Sequence, residues 1–152
     1  MIRPTVIEIA EATVVDAELI EAFSRLTPQV SRSAPAPGEA ELAEMVGAPG
    51  THVLVARTPG DGPVVGTLTL VVFRIPTGVR AWIEDVVVDE SATRQGVATA
   101  LVRAALDTAT AAGARTVDLT SRPEREAANR LYERVGFAPR ATNVYRMELE
   151  GG

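Results

Sequence analysis

Three groups of residues have types and spacings that can do chemistry. Glu84 is a carboxylate in Ile83–Val88 (IEDVVV), an otherwise apolar, β-branched run that reads as a buried strand. A carboxylate taken out of water has a raised pKa and can accept a proton, directly or through a water molecule. The structural alternative is a carboxylate bonded to Arg80 or to a backbone N–H. Asp85 points to the opposite face of the strand and ranks second. The second group is the turn Thr93, Arg94, Gln95, Gly96, Val97, Ala98, Thr99, after which Val97, Leu101, Ala104 and Ala105 take up helical spacing. A strand that feeds a helix through a short turn aims free N–H groups at one spot, and phosphate suits those donors best. Gly96 and Ala98 are small enough to let a diphosphate reach the backbone. The same small residues also fit a plain connection with tight helix–strand packing. The third group is Arg125, Asn129 and Tyr132, within about 60° of one another on a helical wheel. Ala128, Leu131 and Val135 form a separate apolar stripe, so the phenol ends a polar one. A core tyrosine with a satisfied hydroxyl is the alternative there.

Several chemistries are excluded by composition. The chain of 152 residues contains no Cys and one His, His52, so a thiolate nucleophile, a disulfide framework and a zinc site are not expected. All 15 basic residues are Arg. Without Lys there is no Schiff-base lysine and no Walker phosphate loop. A net charge of −5 argues against a phosphate-tracking nucleic-acid binder. No apolar run approaches the ~18 residues of a membrane span, and the first residues do not read as a signal peptide, so the cytoplasm is expected. Heavy use of Arg, Ala, Gly and Pro fits a GC-rich bacterial genome. A homodimer is left open.

The elements that must position these groups follow from pattern. Strands are expected at Thr5–Ile9, His52–Arg57, Val64–Phe73, Arg80–Val88 and Thr116–Thr120, with last strands from Phe137 and Asn143–Leu149. Helices are expected at Asp16–Leu26, Glu39–Val46, after Gly96 as far as Gly113, and from Pro123 to Gly136. The proline-rich stretch Thr27–Gly38 is expected to be a loop. The fifth strand should lie parallel to the fourth through a right-handed crossover. This order is α+β with a mixed, mostly antiparallel sheet, in one domain over 1–152.

The turn at 93–98 and the stretch Arg125–Phe137 (REAANRLYERVGF) together resemble the GNAT superfamily of acyl-CoA-dependent N-acetyltransferases. The family turn is Q/R-x-x-G-x-G/A. Gly96-Val97-Ala98 matches its end, while Thr93 replaces the first Gln or Arg, with Arg94 one place on. The IEDVVV segment is similar to the fourth strand of glucosamine-6-phosphate N-acetyltransferases. The resemblance implies helices on both sheet faces and a splay between parallel strands four and five that takes the pantetheine arm. It implies acetyl-CoA as cosubstrate, no metal, and an amine acceptor attacked directly. Glu84 would be the general base and Tyr132 the acid for the leaving thiolate, a role that suits a phenol titrating near ~10. Val86, Val87 and Val88 would offer backbone groups to the oxyanion and pantetheine, helped by a bulge. Residues 93–99 would hold the pyrophosphate, and Asn129 the pantetheine amides. A non-catalytic acyl-CoA-binding or sensor module on the same fold is the alternative.

Overall fold

The computed structural model describes residues 6–59 and 62–151. The chain divides into two compact units, Met1–Thr120 and Ser121–Gly152. The first holds one five-stranded sheet in the order β1 (Glu8–Glu11), β2 (Thr51–Arg57), β3 (Val64–Ile75), β4 (Gly78–Val88), β5 (Thr116–Asp118). Neighbours are antiparallel except β4 and β5, which run parallel. The first strand lies further along than the sequence predicts, and Thr5 falls outside the described residues.

Register sorts the side chains onto two faces. Val53, Val55, Val64 and Val87 share one face, where they form a core with Leu19, Ala22, Phe23 and Leu26 of α1 (Ala17–Val30) and Leu42 of α2 (Glu39–Gly47). The α1 residues recur at i, i+3, i+4 and i+7, the stripe that turns one helix face inward. Burying each large member of that stripe contributes roughly 1.5–3 kcal/mol. On the other face Ala56 and Gly66 are paired, and α3 (Val97–Ala111) packs over them through Val97 and Leu101. A Cβ on Gly66 would stand 2.8 Å from Val97 and 3.1 Å from Leu101, so this glycine sets how closely α3 approaches β3. After α3, Gly113 takes φ 83° and Ala114 N–H bonds the Ala109 carbonyl at 3.0 Å, a Schellman ending.

The helix predicted to stop at Leu26 continues to Val30 through Pro28. Proline removes an amide donor and disfavours helical backbone at the residue before it. The last turn is held from outside: Gln29 accepts from Glu90 N–H at 3.2 Å and donates to the Arg25 carbonyl at 3.4 Å. The loop therefore begins at Ser31.

In the second unit α4 spans Glu126–Val135 and ends at Gly136, with φ 124°. Pro123 stands before the helix rather than in its first turn. Among the described residues no strand forms at Phe137 or over Asn143–Leu149, in contrast to the sequence expectation. Tyr145, Met147 and Leu149 alternate with Arg146 and Glu148 as a half-buried strand would, yet all three are exposed. Alternation marks a segment able to pair, but strand stability comes from the partner it packs on.

Candidate active site

The site in the first unit is built on β4 and on the turn and helix beyond it. Pairing with β5 covers Arg80, Ala81 and Trp82, so among the described residues β4 runs on from Ile83 to Val88 with no strand paired on that side. This is the splay between the parallel strands. Pairing with β3 slips here as well. Thr69 faces Glu84 and Thr67 faces Val87, which leaves Asp85 and Val86 opposite the single residue Leu68. That is a bulge, and Asp85 carries its strain with φ 47°. An ordinary strand would put residues 84 and 87 on opposite faces. The extra residue brings Glu84 onto the face of Val87, the one that α1 and α2 cover.

Glu84 is exposed, which corrects the expectation of a desolvated carboxylate. Ile83 and Val87 are buried on opposite faces of the strand, so the run is apolar on both, and Glu84 is exposed although it shares the face of Val87. Arg80, the sequence's candidate partner for Glu84, donates to Thr77 Oγ1 at 3.3 Å.

Beyond Val88, Asp89 opens a 3-10 turn over Glu90–Ala92 by accepting from Ser91 N–H at 3.1 Å. That bond and one from the Ser91 hydroxyl, with Arg25 alongside, hold the Asp89 carboxyl below its ordinary pKa against the opposing effect of burial. The chain then passes Arg94 at φ 67° and Gly96 at φ 80°. Gly96 is the N-cap of α3, in left-handed backbone, with no side-chain cap. The first amide bond of the helix runs from Ala100 N–H to the Gly96 carbonyl. The N–H groups of Val97, Ala98 and Thr99 therefore stand ahead of the ladder. Among the described residues nothing lies within 4 Å of a Cβ built on Gly96, so the space beside this glycine, at the head of the helix, is open. A diphosphate fits this donor set: clustered N–H groups, the positive end of a fifteen-residue helix, and no acid in its first turn. Thr93 is drawn back, its hydroxyl on the Glu90 carbonyl at 3.1 Å, while Arg94 and Gln95 are exposed.

The second unit carries Asn129 and Tyr132. Asn129 spends one amide hydrogen on the Arg122 carbonyl at 3.0 Å, tying down the segment that enters α4. Tyr132 is buried and meets Phe137 edge to face, with centroids 5.9 Å apart. Burial raises its phenol above the ordinary pKa, and the Arg125 charge opposes this in part. Tyr132 thus keeps its proton at neutral pH.

Sequence reasoning did not single out Gly66, Arg25, Gln29 or Asp89. Gly66 carried a signal, since a lone glycine inside an apolar strand marks close backbone approach. Asp89 offered only its local cap on Ser91, and the contacts of Arg25 with Asp89 and of Gln29 with Glu90 gave no signal because they join residues about sixty positions apart. Among the described residues no helix is long and apolar enough to cross a membrane, and no group of three His, Cys, Asp or Glu could hold a metal.

Comparison places this geometry among known proteins. A putative acetyltransferase from Agrobacterium tumefaciens aligns at 26% identity over 93% of this chain and 99% of that one, with TM-score 0.80. Glucosamine-6-phosphate N-acetyltransferase from Arabidopsis thaliana aligns at 17% identity over 93% and 98%, with TM-score 0.78. AAC(6')-Iy, solved with the bisubstrate analogue CoA-S-monomethyl-acetylneamine, aligns at 20% identity over 95% and 100%, with TM-score 0.74. The search of curated proteins finds no match. The model of the Acetyltransferase (GNAT) family matches residues 17–137, a span that runs from α1 through α4. The chain belongs to the Acetyltransferase (GNAT) family.

Proposed function

We propose that the protein transfers an acetyl group from acetyl-CoA to a primary amine, on a small molecule or a peptide, by direct attack. One observation carries the reading. Within Ile83–Thr99 the β5 ladder stops, β4 bulges, and a helix begins with its first amides uncapped. That sequence of features offers a slot, a kinked backbone edge and an anion cradle in the order that a thioester with a diphosphate tail needs. The family match across both units supports treating 1–152 as one acyltransferase domain. The composition supports a bacterial, cytoplasmic setting.

Each residue then has a role. Residues 93–99 hold the diphosphate, with Arg94 standing in for the charge that Thr93 lacks. Backbone groups of Val86, Val87 and Val88 bind the pantetheine arm and the developing oxyanion. Asn129 has acceptor capacity left for a pantetheine amide. Glu84 takes the proton that the amine loses as its nitrogen bonds the thioester carbon. The carbon–sulfur bond breaks, and Tyr132 gives its proton to the departing thiolate. Because it is exposed, Glu84 can take that proton directly or through a water molecule. The same exposure favours a second reading, an acyl-CoA-binding module without catalysis.

An acceptor panel with acetyl-CoA, followed by free-thiol release, separates the two. Tyr132→Phe keeps the ring against Phe137. In the enzyme it lowers single-turnover kcat by ~10²- to 10⁴-fold at unchanged CoA affinity. If no amine on the panel releases thiol while CoA binds, the sensor reading stands instead. A structural tyrosine would show about 1 kcal/mol of lost stability and little change in rate.

A further inference from the structure

We infer that Arg25 and Gln29, both on α1, are positioning residues that clamp the turn carrying the acetyl-CoA donors. The inference rests on the reading that this turn holds the diphosphate. Arg25 spreads its guanidinium over three partners on different elements. Nη1 meets Asp89 Oδ2 at 2.5 Å, Nη2 meets the Val64 carbonyl at 2.9 Å, and Nε meets Glu21 Oε1 at 2.9 Å. Only a planar fork with five donors can make this set, and Lys cannot reproduce it. One turn further along α1, Gln29 accepts from Glu90 N–H. Asp89 in turn donates its N–H to the Val65 carbonyl at 2.8 Å and caps Ser91. Residues 89–91 are thereby gripped by α1, by β3 and by their own cap.

The chain that leads into the free donors of Val97, Ala98 and Thr99 is strung between this grip and one other fixed point. Upstream is the clamp at Asp89 and Glu90. Downstream is Val97, seated against Gly66. Thr93, Arg94, Gln95 and Gly96 between them are exposed, and two of the four hold left-handed backbone. Left-handed backbone at Arg94 is disfavoured for a residue with a Cβ, so the intervening chain keeps it only while both ends are held. Moving the upstream end shifts the direction of the N–H groups beyond it. The Arg25–Asp89 pair is partly open to solvent, with 31% and 16% of the two side chains exposed. Pairs in that setting add little to global stability. The effect of removing the clamp should fall on where the donors point rather than on whether the chain folds. The same clamp explains why α1 is kept helical through Pro28, since Gln29 reaches Glu90 only from that last turn.

The test titrates CoA into wild type, Gln29→Ala, Arg25→Ala and Arg25→Lys by calorimetry, and melts each protein without ligand. Gln29 is exposed, so its truncation does not threaten folding. Positioning predicts that the CoA Kd rises about three- to tenfold in Gln29→Ala. It predicts a larger rise in Arg25→Ala and a partial recovery in Arg25→Lys, which restores charge opposite Asp89 but not the fork. Melting temperatures should stay within about 4 °C of wild type. Lowered melting with unchanged CoA affinity in both Gln29→Ala and Arg25→Ala would make the network merely structural and overturn the inference. Arg25→Lys indistinguishable from Arg25→Ala would overturn the charge-specific part of it. Wild type that binds no CoA would overturn the reading of the turn itself, a result that no variant is needed to recognise.

Discussion

Two helices of the first unit begin in opposite ways. At the start of α1, Asp16 accepts from Leu19 N–H at 2.8 Å, and Glu18 adds a negative charge to the first turn. The helix meets its own need for an acceptor and an anion at its positive end. At the start of α3 neither is present. Gly96 has no side chain, no cap bond forms, and the first turn (Val97, Ala98, Thr99) holds no acid. Both helices bury an apolar stripe of similar quality, so packing does not explain the contrast. A helix that needs only to be stable fills its N-terminus from within. A helix left unfilled, at the end of the strand whose ladder has just parted, is equipped to take its anion from outside.

Gly96→Val should break the contrast most severely. The open space around Gly96 means that the new side chain meets nothing in the free protein, so the loss has two other sources. A β-branched residue resists φ 80°, and the branches stand where the diphosphate approaches. Losing two charge-assisted hydrogen bonds, at ~1.5–3 kcal/mol each, corresponds to about 10²-fold in Kd or more. Calorimetry on a variant shown to be folded checks this. Unchanged affinity would remove the diphosphate from α3.

Thr99→Glu sharpens the comparison by making α3 begin as α1 does. A carboxylate at the third helical position can reach back toward the Gly96 N–H and supply the missing negative charge. The free protein should gain up to ~1 kcal/mol, raising Tm by about 2–4 °C. The same charge repels the ligand, so CoA affinity should fall about tenfold, most at low salt. A variant with higher Tm and unchanged affinity would mean that the first turn of α3 does not face the diphosphate.

Much of this was legible in the chain because it depends on neighbours. The strand, turn and helix at Ile83–Leu101 are declared by a change from β-branched run to helical spacing around one glycine. The parallel β5 followed from order alone. What was not legible depends on distant partners. Whether Glu84 is buried turns on where the β5 ladder stops, and on a bulge that moves its side chain to the other face. Whether α1 ends at Leu26 or Val30 turns on Glu90, sixty-one residues from Gln29. Helix termination at Pro28 is a sound local rule, and one tertiary contact outweighed it. The alternation at Tyr145, Met147 and Leu149 states a preference for pairing that local sequence cannot fulfil by itself.

The mildest intervention is Asp16→Ala, and it tests whether the two helix starts are independent. Removing the α1 cap leaves the Leu19 N–H without its acceptor and should cost about 1 kcal/mol, or about 2–4 °C in Tm. Fraying is confined to the first turn of a helix. Arg25 and Gln29 lie two and three turns further on, so the clamp on Asp89 and Glu90 should survive. CoA affinity should therefore stay within twofold of wild type, by calorimetry under the conditions used for Gly96→Val. A matching loss of affinity in Asp16→Ala would mean that the start of α1 transmits to the turn. The contrast would then describe one coupled device rather than a self-capped helix beside a ligand-capped one. Stability lost without affinity lost, set against affinity lost in Gly96→Val, assigns the two termini to different work.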